Sequence, residues 1–492
     1  MWWKKRHPIL FFRGIYVSFE RVSTGIDGLD AVVEGGFPRG SLILVAGNPG
    51  TGKTIFSAHF LYRGAVDYGD SGVYVSFTES YESFCRSMEN LGFDFRKLEK
   101  EKKFVYLDLA TLREDGFSSI LSRILEEVLE LNAKRLVIDS LSAIIQAFEK
   151  PVDIRITLHT IISKIINQAK CTTLMIVEIP FGEKRTGLGI EEFMADGVIV
   201  LKVGELYRRI YRSMEIRKVR GTRLTERTVT FTLSNGFKAF PPFKPKPIKN
   251  RERFRPTPDP PKKFSTGSED LDNLLGGGFP EGSLVLFEVG EPVSTSQYHL
   301  ILSPTPWNFL ANGRAVMIIP SAGVDHNIIK ERCMEAKFTD DELNRLLRVC
   351  IPESFDVPKE PYIATFKTKN IKEDYQKYLK IEEELMATTG QPVLRITGAD
   401  SLIAYYGKEA AVNIWNIDAT RIREKKSLGI VILKPGYADL PKMLSAVADV
   451  HLKLTRKHGA LIFYGIKPRT NLHIVEMDTS KGVPLPKLTP II

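Results

Sequence analysis

A chain of 492 residues is too long for one ordinary hydrophobic core, so two or three domains are expected. Its composition, 43% hydrophobic and 26% charged, is that of a soluble globular protein, and no apolar run reaches the roughly 18 residues a membrane helix needs. The formal net charge of +10 admits an anionic partner, while four widely separated cysteines (Cys85, Cys171, Cys333, Cys350) have no metal-ligand spacing and fit reduced thiols in a cytoplasm.

Residues 1–20 read as a basic and apolar N-terminal extension. Arg13 cuts the apolar run Pro8–Phe12 short and no small-residue cleavage site follows, so a signal peptide is not expected. A first domain is expected over residues 21–240. Ser23 or Thr24 is a candidate cap for a short helix carrying Leu29, after which Gly35-Gly36-Phe37-Pro38 turns the chain into a sheet. The strand-length run Ser41–Ala46 then feeds Gly47-Asn48-Pro49-Gly50-Thr51-Gly52-Lys53-Thr54, and a helix-compatible stretch follows. This is G-x-x-x-x-G-K-[ST] in its strand-then-helix setting. The loop's amides and the positive end of the next helix suit a phosphate chain. Lys53 can reach β- and γ-phosphates, and the Thr54 hydroxyl can hold Mg²⁺, so ATP with Mg²⁺ is the expected cofactor.

Further strands are expected at Gly72–Phe77, Phe104–Asp108, Arg135–Ser140 and Thr172–Glu178, with a helix over Ile120–Leu131. Three acids at or just past these strand ends are candidates for the site. Asp139 fits the second nucleotide signature, which helps hold the metal shell. Glu79, just past a strand end, is placed to orient a water for attack, or is an ordinary helix-start acid. Glu178 is a candidate γ-phosphate sensor or a structural acid. Beyond Ala195-Asp196-Gly197, a basic hairpin runs from Tyr207-Arg208-Arg209 through Arg212 to Arg223. Its alternation suggests an antiparallel edge ribbon, able to touch nucleic acid or a neighbouring subunit.

Residues 241–263 are rich in proline and lysine and read as a semi-extended linker. Past it the chain begins again: Ser265-Thr266-Gly267, Leu271-Asp272 and Gly277-Gly278-Phe279-Pro280 repeat Ser23-Thr24-Gly25, Leu29-Asp30 and Gly35-Gly36-Phe37-Pro38. A repeat this long predicts duplication of a whole domain over 264–492. The phosphate loop does not repeat. Read with Gly290 opposite Gly47, Ser296 replaces Lys53, and Val293 and Thr295 replace two glycines. Asp400 has no settled counterpart, Ala448-Asp449 matches Ala195-Asp196, and Lys467 and Arg469 echo Lys218 and Arg220. The second copy is expected to be the same fold without its nucleotide chemistry.

The run Ser23–Asp30, Gly35–Pro38 and Gly47–Thr54, with Glu191-Glu192-Phe193, Ala195-Asp196 and Lys218-Val219-Arg220-Gly221-Thr222, resembles the KaiC-like branch of the RecA/RadA ATPases. The likeness spans the first copy nearly end to end and the second in outline, an arrangement similar to tandem-domain members of the branch, archaeal gas-vesicle regulators among them. It implies an α/β fold of two tandem RecA-like P-loop domains, each a mostly parallel sheet flanked by helices. It also implies a homo-oligomeric ring, expected to be a hexamer, with ATP between subunits. Lys218 and Arg220 stand where the branch has a Lys-x-Arg that reaches a neighbour's γ-phosphate. The branch pairs two glutamates after its second strand, whereas this chain has Thr78-Glu79, so slow or altered hydrolysis is expected, and no clock or autokinase role is carried over. The resulting expectation is an ATP-dependent switch that offers its second domain to a protein partner. The alternatives are a RadA-like DNA repair ATPase and a structural ATP-binding module.

Overall fold

The computed structural model describes residues 20–109, 117–142, 169–182, 195–353 and 359–492. Most of the expected N-terminal extension and Glu191-Glu192-Phe193 lie outside them. The chain forms two compact units. The first holds the described residues up to Lys202 with Met214–Arg227 and Asn235–Lys238; the second holds Val203–Ser213, Thr228–Ser234 and Ala239–Ile492.

The α/β expectation is met. A nine-stranded sheet runs in the order Lys238–Phe240, Thr228–Thr232, Arg209–Val219, Gly197–Leu206, Leu42–Gly47, Thr172–Glu178, Arg135–Asp139, Gly72–Ser76, Phe104–Asp108. Strand Leu42–Gly47 pairs in parallel with Thr172–Glu178 and Gly197–Leu206, and Arg135–Asp139 and Gly72–Ser76 extend the parallel set. These strands are apolar throughout because both sheet faces are covered, which is why their sequence shows runs and not alternation. Leu44, Val75, Ile138 and Val177 share one core with the helix Phe117–Glu130.

A ten-stranded sheet repeats the plan. Strand Ser283–Val289 pairs in parallel with Leu428–Leu433 and Val450–Lys457, and the parallel strands Leu394–Gly398, Val316–Ile319, Leu347–Pro352 and Ile363–Phe366 follow outward.

Three local expectations are corrected. The basic hairpin is not an edge ribbon, since Thr228–Thr232 and Lys238–Phe240 lie outside it in the strand order. Tyr207 and Arg208, both at positive φ (53° and 57°), form its two-residue turn. Ser23 and Thr24 cap no helix: both donate their hydroxyls to the Asp30 carboxylate, at 2.5 and 2.6 Å, and residues 27–35 are turns. The proline-rich stretch is extended, but it is tied along the second unit. Phe254 is buried in that unit's core, Thr257 N donates to Asn308 Oδ1 (2.7 Å), and Arg253 pairs with Glu342 (2.5 Å).

Candidate phosphate-loop site

Strand Leu42–Gly47 ends in the loop Asn48–Gly52, and the helix Lys53–Asp67 begins at once. Its cap, Gly52, sits at φ 98°, in the left-handed region that a side chain disfavours, so glycine lets the loop turn its amides inward. Asn48 Nδ2 donates to Ile179 O (2.8 Å) and Thr51 Oγ1 to Asn48 O (2.8 Å), bracing the loop from both ends. Pro49 and Gly50 form its exposed tip.

Lys53 is 7% exposed, and its ammonium donates to Gly47 O (3.0 Å) and Asn48 O (2.9 Å). Burial lowers its pKa, while the Glu178 and Asp139 carboxylates oppose that shift. Next to it, Thr54 Oγ1 donates to Asp139 Oδ2 at 3.2 Å, and the buried Tyr74 hydroxyl donates to the same oxygen at 2.7 Å. Burial pushes the Asp139 carboxyl up, and those two hydrogen bonds pull it back. A hydroxyl and a carboxylate side by side are the hard oxygen donors Mg²⁺ prefers. A buried lysine held only by loop carbonyls has donors to offer a phosphate chain. The residues therefore fit ATP and Mg²⁺.

Glu79 lies past the end of Gly72–Ser76, which Thr172–Glu178 and Arg135–Asp139 separate from the loop strand. It precedes Ser80, the cap of the helix Tyr81–Glu89, so it lies outside the first helical turn. Ser83 Oγ donates to its Oε1 (2.7 Å), its own amide donates to Ser76 Oγ (2.9 Å), and Tyr106 donates to its carbonyl (2.7 Å). Glu178 is exposed at the strand end paired with Gly47, and its amide donates to Ser142 Oγ (2.9 Å).

Lys218 and Arg220 are not part of this cluster. Lys218 Nζ donates to Ala195 O (2.6 Å), and Arg220 pairs with Asp196 (3.1 Å) while staying 63% exposed. The other oxygen of Asp196 receives Leu42 N (3.0 Å), at the start of the strand that ends in the phosphate loop. Leu42 to Gly47 spans roughly 16 Å of strand, so the two cations stand at the far end of the sheet from Lys53.

In the second unit the register differs by one residue from the sequence reading. The caps Gly52 and Ser294 correspond, and so do the turn bonds Thr51 N to Asn48 O and Val293 N to Gly290 O. Thr295, not Ser296, therefore holds the place of Lys53, and Ser296 that of Thr54; Pro292 and Ser294 replace Gly50 and Gly52. The strand pairing also resolves Asp400. Thr397 pairs with Val431 as Ile138 pairs with Met175, so Gly398 stands where Asp139 does, and Asp400 lies in the helix Ala399–Tyr406. Lys434 stands opposite the end of strand Ser283–Val289, as Glu178 stands opposite Gly47. Its ammonium donates to Ala322 O (2.6 Å), 4.0 Å from Asp400.

The sequence reading missed Tyr74 and Tyr106. Their rings stack at 5.4 Å and 4°, linking the partner of Asp139 to the partner of Glu79. Two tyrosines on neighbouring buried strands are a usable signal, because each buried hydroxyl needs a partner.

The family described as "ATPase: KaiC" matches residues 22–239, and that described as "GvpD basic region 2" matches 253–336. The chain is 30% identical over 282 residues to the circadian clock oscillator protein KaiC of Prochlorococcus marinus, covering 55% of this chain and 54% of that protein. It is 27% identical over 484 residues to Protein GvpD2 of Halobacterium salinarum, covering 92% and 94%. It thus spans about half the length of the first relative and nearly all of the second. A KaiC-like protein of Pyrococcus horikoshii, solved by crystallography, is 39% identical and fully covered, over 46% of this chain, with a TM-score of 0.42. Through residues 22–239, where the phosphate loop and its acids lie, the chain belongs to the KaiC-like RecA-type P-loop ATPases.

Proposed function

We propose that the chain is an ATP-dependent regulatory switch in which the first unit binds and hydrolyses ATP, the second binds no nucleotide, and each active site is completed by another copy of the chain. The supporting observation is the separation of the cations. Lys53 is at the loop end of strand Leu42–Gly47, whereas Arg220 is at its start, too far away to serve the same phosphates. An exposed arginine that cannot reach its own site suits a neighbour's site.

In this reading Lys53 and the loop amides bind the phosphate chain, and Thr54 and Asp139 hold the metal. Bound Mg²⁺ supplies charge neutralisation at the transferring phosphate. Glu79 orients the attacking water and accepts its proton. Glu178 lies close enough to act on Lys53 and serves as the γ-phosphate sensor. Residues 1–20, 21–240, 241–263 and 264–492 are proposed as extension, active domain, connector and inactive domain, in a cytoplasmic ring, with six copies the first number to test. The inactive domain offers a surface to a protein partner.

A DNA-dependent ATPase is the weaker reading. Arg209 donates to Gly465 O (2.7 Å) and Thr470 O (2.6 Å) and is 9% exposed, and Arg212 donates to Ile492 O. These guanidiniums are committed to carbonyls and are not displayed for phosphates. Steady-state ATP hydrolysis tests the choice. Specific activity should rise with protein concentration as shared sites assemble, and single-stranded DNA should leave it unchanged. Activity independent of concentration, in a chain shown to stay monomeric, overturns the shared site; strong DNA stimulation restores the alternative.

A further inference from the structure

The second unit carries a cavity that its lost nucleotide chemistry does not use. It opens at the C-terminal ends of parallel strands, lined by Ile319, Pro352, Phe366 and Thr397, where open α/β sheets place ligands. Five aromatic side chains, Tyr375, Tyr378, Tyr405, Tyr406 and Trp415, form much of its wall, with Ile371, Leu402 and Ile414 among them.

Charge makes this cavity unusual for a chain of net charge +10. Asp374 and Asp418 line it, and among the described residues no lysine or arginine does. Asp418 is tied to Tyr375 (2.5 Å) and to the buried Arg395, which also pairs with Glu382 (3.3 Å); Arg421 lies 3.7 Å from Glu382. Among the described residues Asp374 has no basic side chain paired with it; its Oδ2 accepts Thr368 N and the Tyr406 hydroxyl, both at 2.9 Å, and its Oδ1 the Lys367 amide at 3.3 Å. Three carboxylates, Asp374, Asp418 and Glu382, thus stand with two guanidiniums around the cavity, and the Lys377 ammonium lies outside it, 5.3 Å from the Phe366 ring and donating to Thr365 O. The cluster already accommodates one cation against an aromatic face, Arg395 at 5.3 Å from the Tyr378 ring. Within that wall, the Tyr378 hydroxyl and Trp415 Nε1 are buried without hydrogen-bond partners among the described residues, which an ordinary finished core avoids.

We propose that this cavity is a binding site for a compact organic cation, an amine or quaternary ammonium with apolar substituents. The ring faces attract the charge, the apolar wall covers the substituents, and Asp374 with Asp418 supplies the negative field. This site is independent of ATP in the first unit and would let the second unit report a small molecule.

Titration calorimetry on the full chain tests it, using benzyltrimethylammonium as probe with benzyl alcohol and benzenesulfonate as neutral and anionic controls. The cation should bind saturably and at least about tenfold more tightly than either control, the ratio expected for a partly desolvated cation on aromatic faces. Tyr405→Leu and Asp374→Asn should each weaken it by about tenfold without changing ATP binding at the first unit. Equal affinity for cation and alcohol, preference for the sulfonate, or no saturable binding overturns the proposal. Because the charge comparison is made on the unaltered chain, it decides the matter even if a variant fails to fold.

Discussion

Both phosphate-loop strands start in the same way. Leu42 N donates to Asp196 Oδ2 and Leu284 N to Asp449 Oδ2, each at 3.0 Å, and Lys218 and Lys467 each donate to the carbonyl just before that aspartate at 2.6 Å. Ser23 and Thr24 fold onto Asp30 as Ser265 and Thr266 fold onto Asp272. An added Cβ at Gly36 would meet Val22 O at 2.1 Å, and one at Gly278 would meet Phe264 O at 2.3 Å, so only glycine fits either turn. The strands end differently. Where the first unit has Lys53, Asp139 and Glu178, the second has Thr295, Gly398 and Lys434 at the corresponding positions. What repeats is therefore what the fold needs, and what differs is what phosphates need. The shared lysine bonds point to a structural task for Lys218 and Lys467, whereas the arginines that follow them differ: Arg220 pairs with Asp196, while Arg469 donates to Arg208 O and Asp449 pairs with Arg423 instead.

The sharpest way to break this comparison is Arg220→Ala. If the exposed guanidinium completes a neighbour's site, turnover should fall by about 10³–10⁵, as for other arginine fingers. Mixing that chain with a Lys53→Ala chain should restore part of the activity, because some interfaces then carry both intact halves. No rescue in a mixed assembly shown to form would assign Arg220 to its Asp196 contact alone.

A smaller loss, about 10²–10⁴ in turnover, is expected for Glu79→Gln, which keeps the shape and removes the base. ATP affinity should hold. Near-normal turnover there, with loss in Glu178→Gln, would exchange the roles of the two glutamates.

Lys53→Ala should weaken a fluorescent ATP analogue by about 10–100-fold, the worth of a charge-assisted hydrogen bond or two. The same variant sharpens the contrast between the units, since any tight, saturable ATP binding left in it would have to come from the second unit, which is expected to show none.

A final effect, on stability and not on turnover, is one the units share. His59 and His299 are both held down to about 4, chiefly by burial, and the Phe237 amide donates to Nδ1 of His59 (3.1 Å), which requires that nitrogen to be unprotonated. An unfolded histidine titrates near 6.5. Between those values the unfolded chain takes up a proton that the folded chain refuses, so stability is full above about 6.5, falls as pH drops, and levels off below about 4. Each histidine should cost at most about 1.4 kcal/mol per pH unit in that window. Denaturant melts from pH 7 to 4.5 measure the slope, and His59→Gln should flatten it for the first unit. A slope unchanged by the substitution would place the acid sensitivity elsewhere.

Much was legible in the sequence because it depends on neighbours along the chain. The phosphate loop needs its glycines, lysine and threonine at fixed spacing between one strand and one helix, and strand Thr172–Glu178 appears with the bounds its apolar run predicts. The acids Asp139 and Glu178 were readable for the same reason, each closing a buried strand. The repeat was readable because its frame rests on short motifs such as Ser-Thr-Gly and Gly-Gly-Phe-Pro.

Tertiary structure decided whatever depended on which strands lie side by side. The one-residue shift that puts Thr295 at the lysine position follows from helix caps and turn bonds. Gly398 rather than Asp400 stands at the position of Asp139 because of how Leu394–Gly398 registers with its neighbour. The hairpin lies inside the sheet order, and its Arg209 answers to carbonyls more than 250 residues away, at Gly465 and Thr470. The aromatic cavity gathers Phe366, Tyr375, Tyr405 and Trp415 from a strand and separate helices. A sequence states which side chains it carries; packing and register, which depend on long-range burial and hydrogen bonding, decide which of them meet.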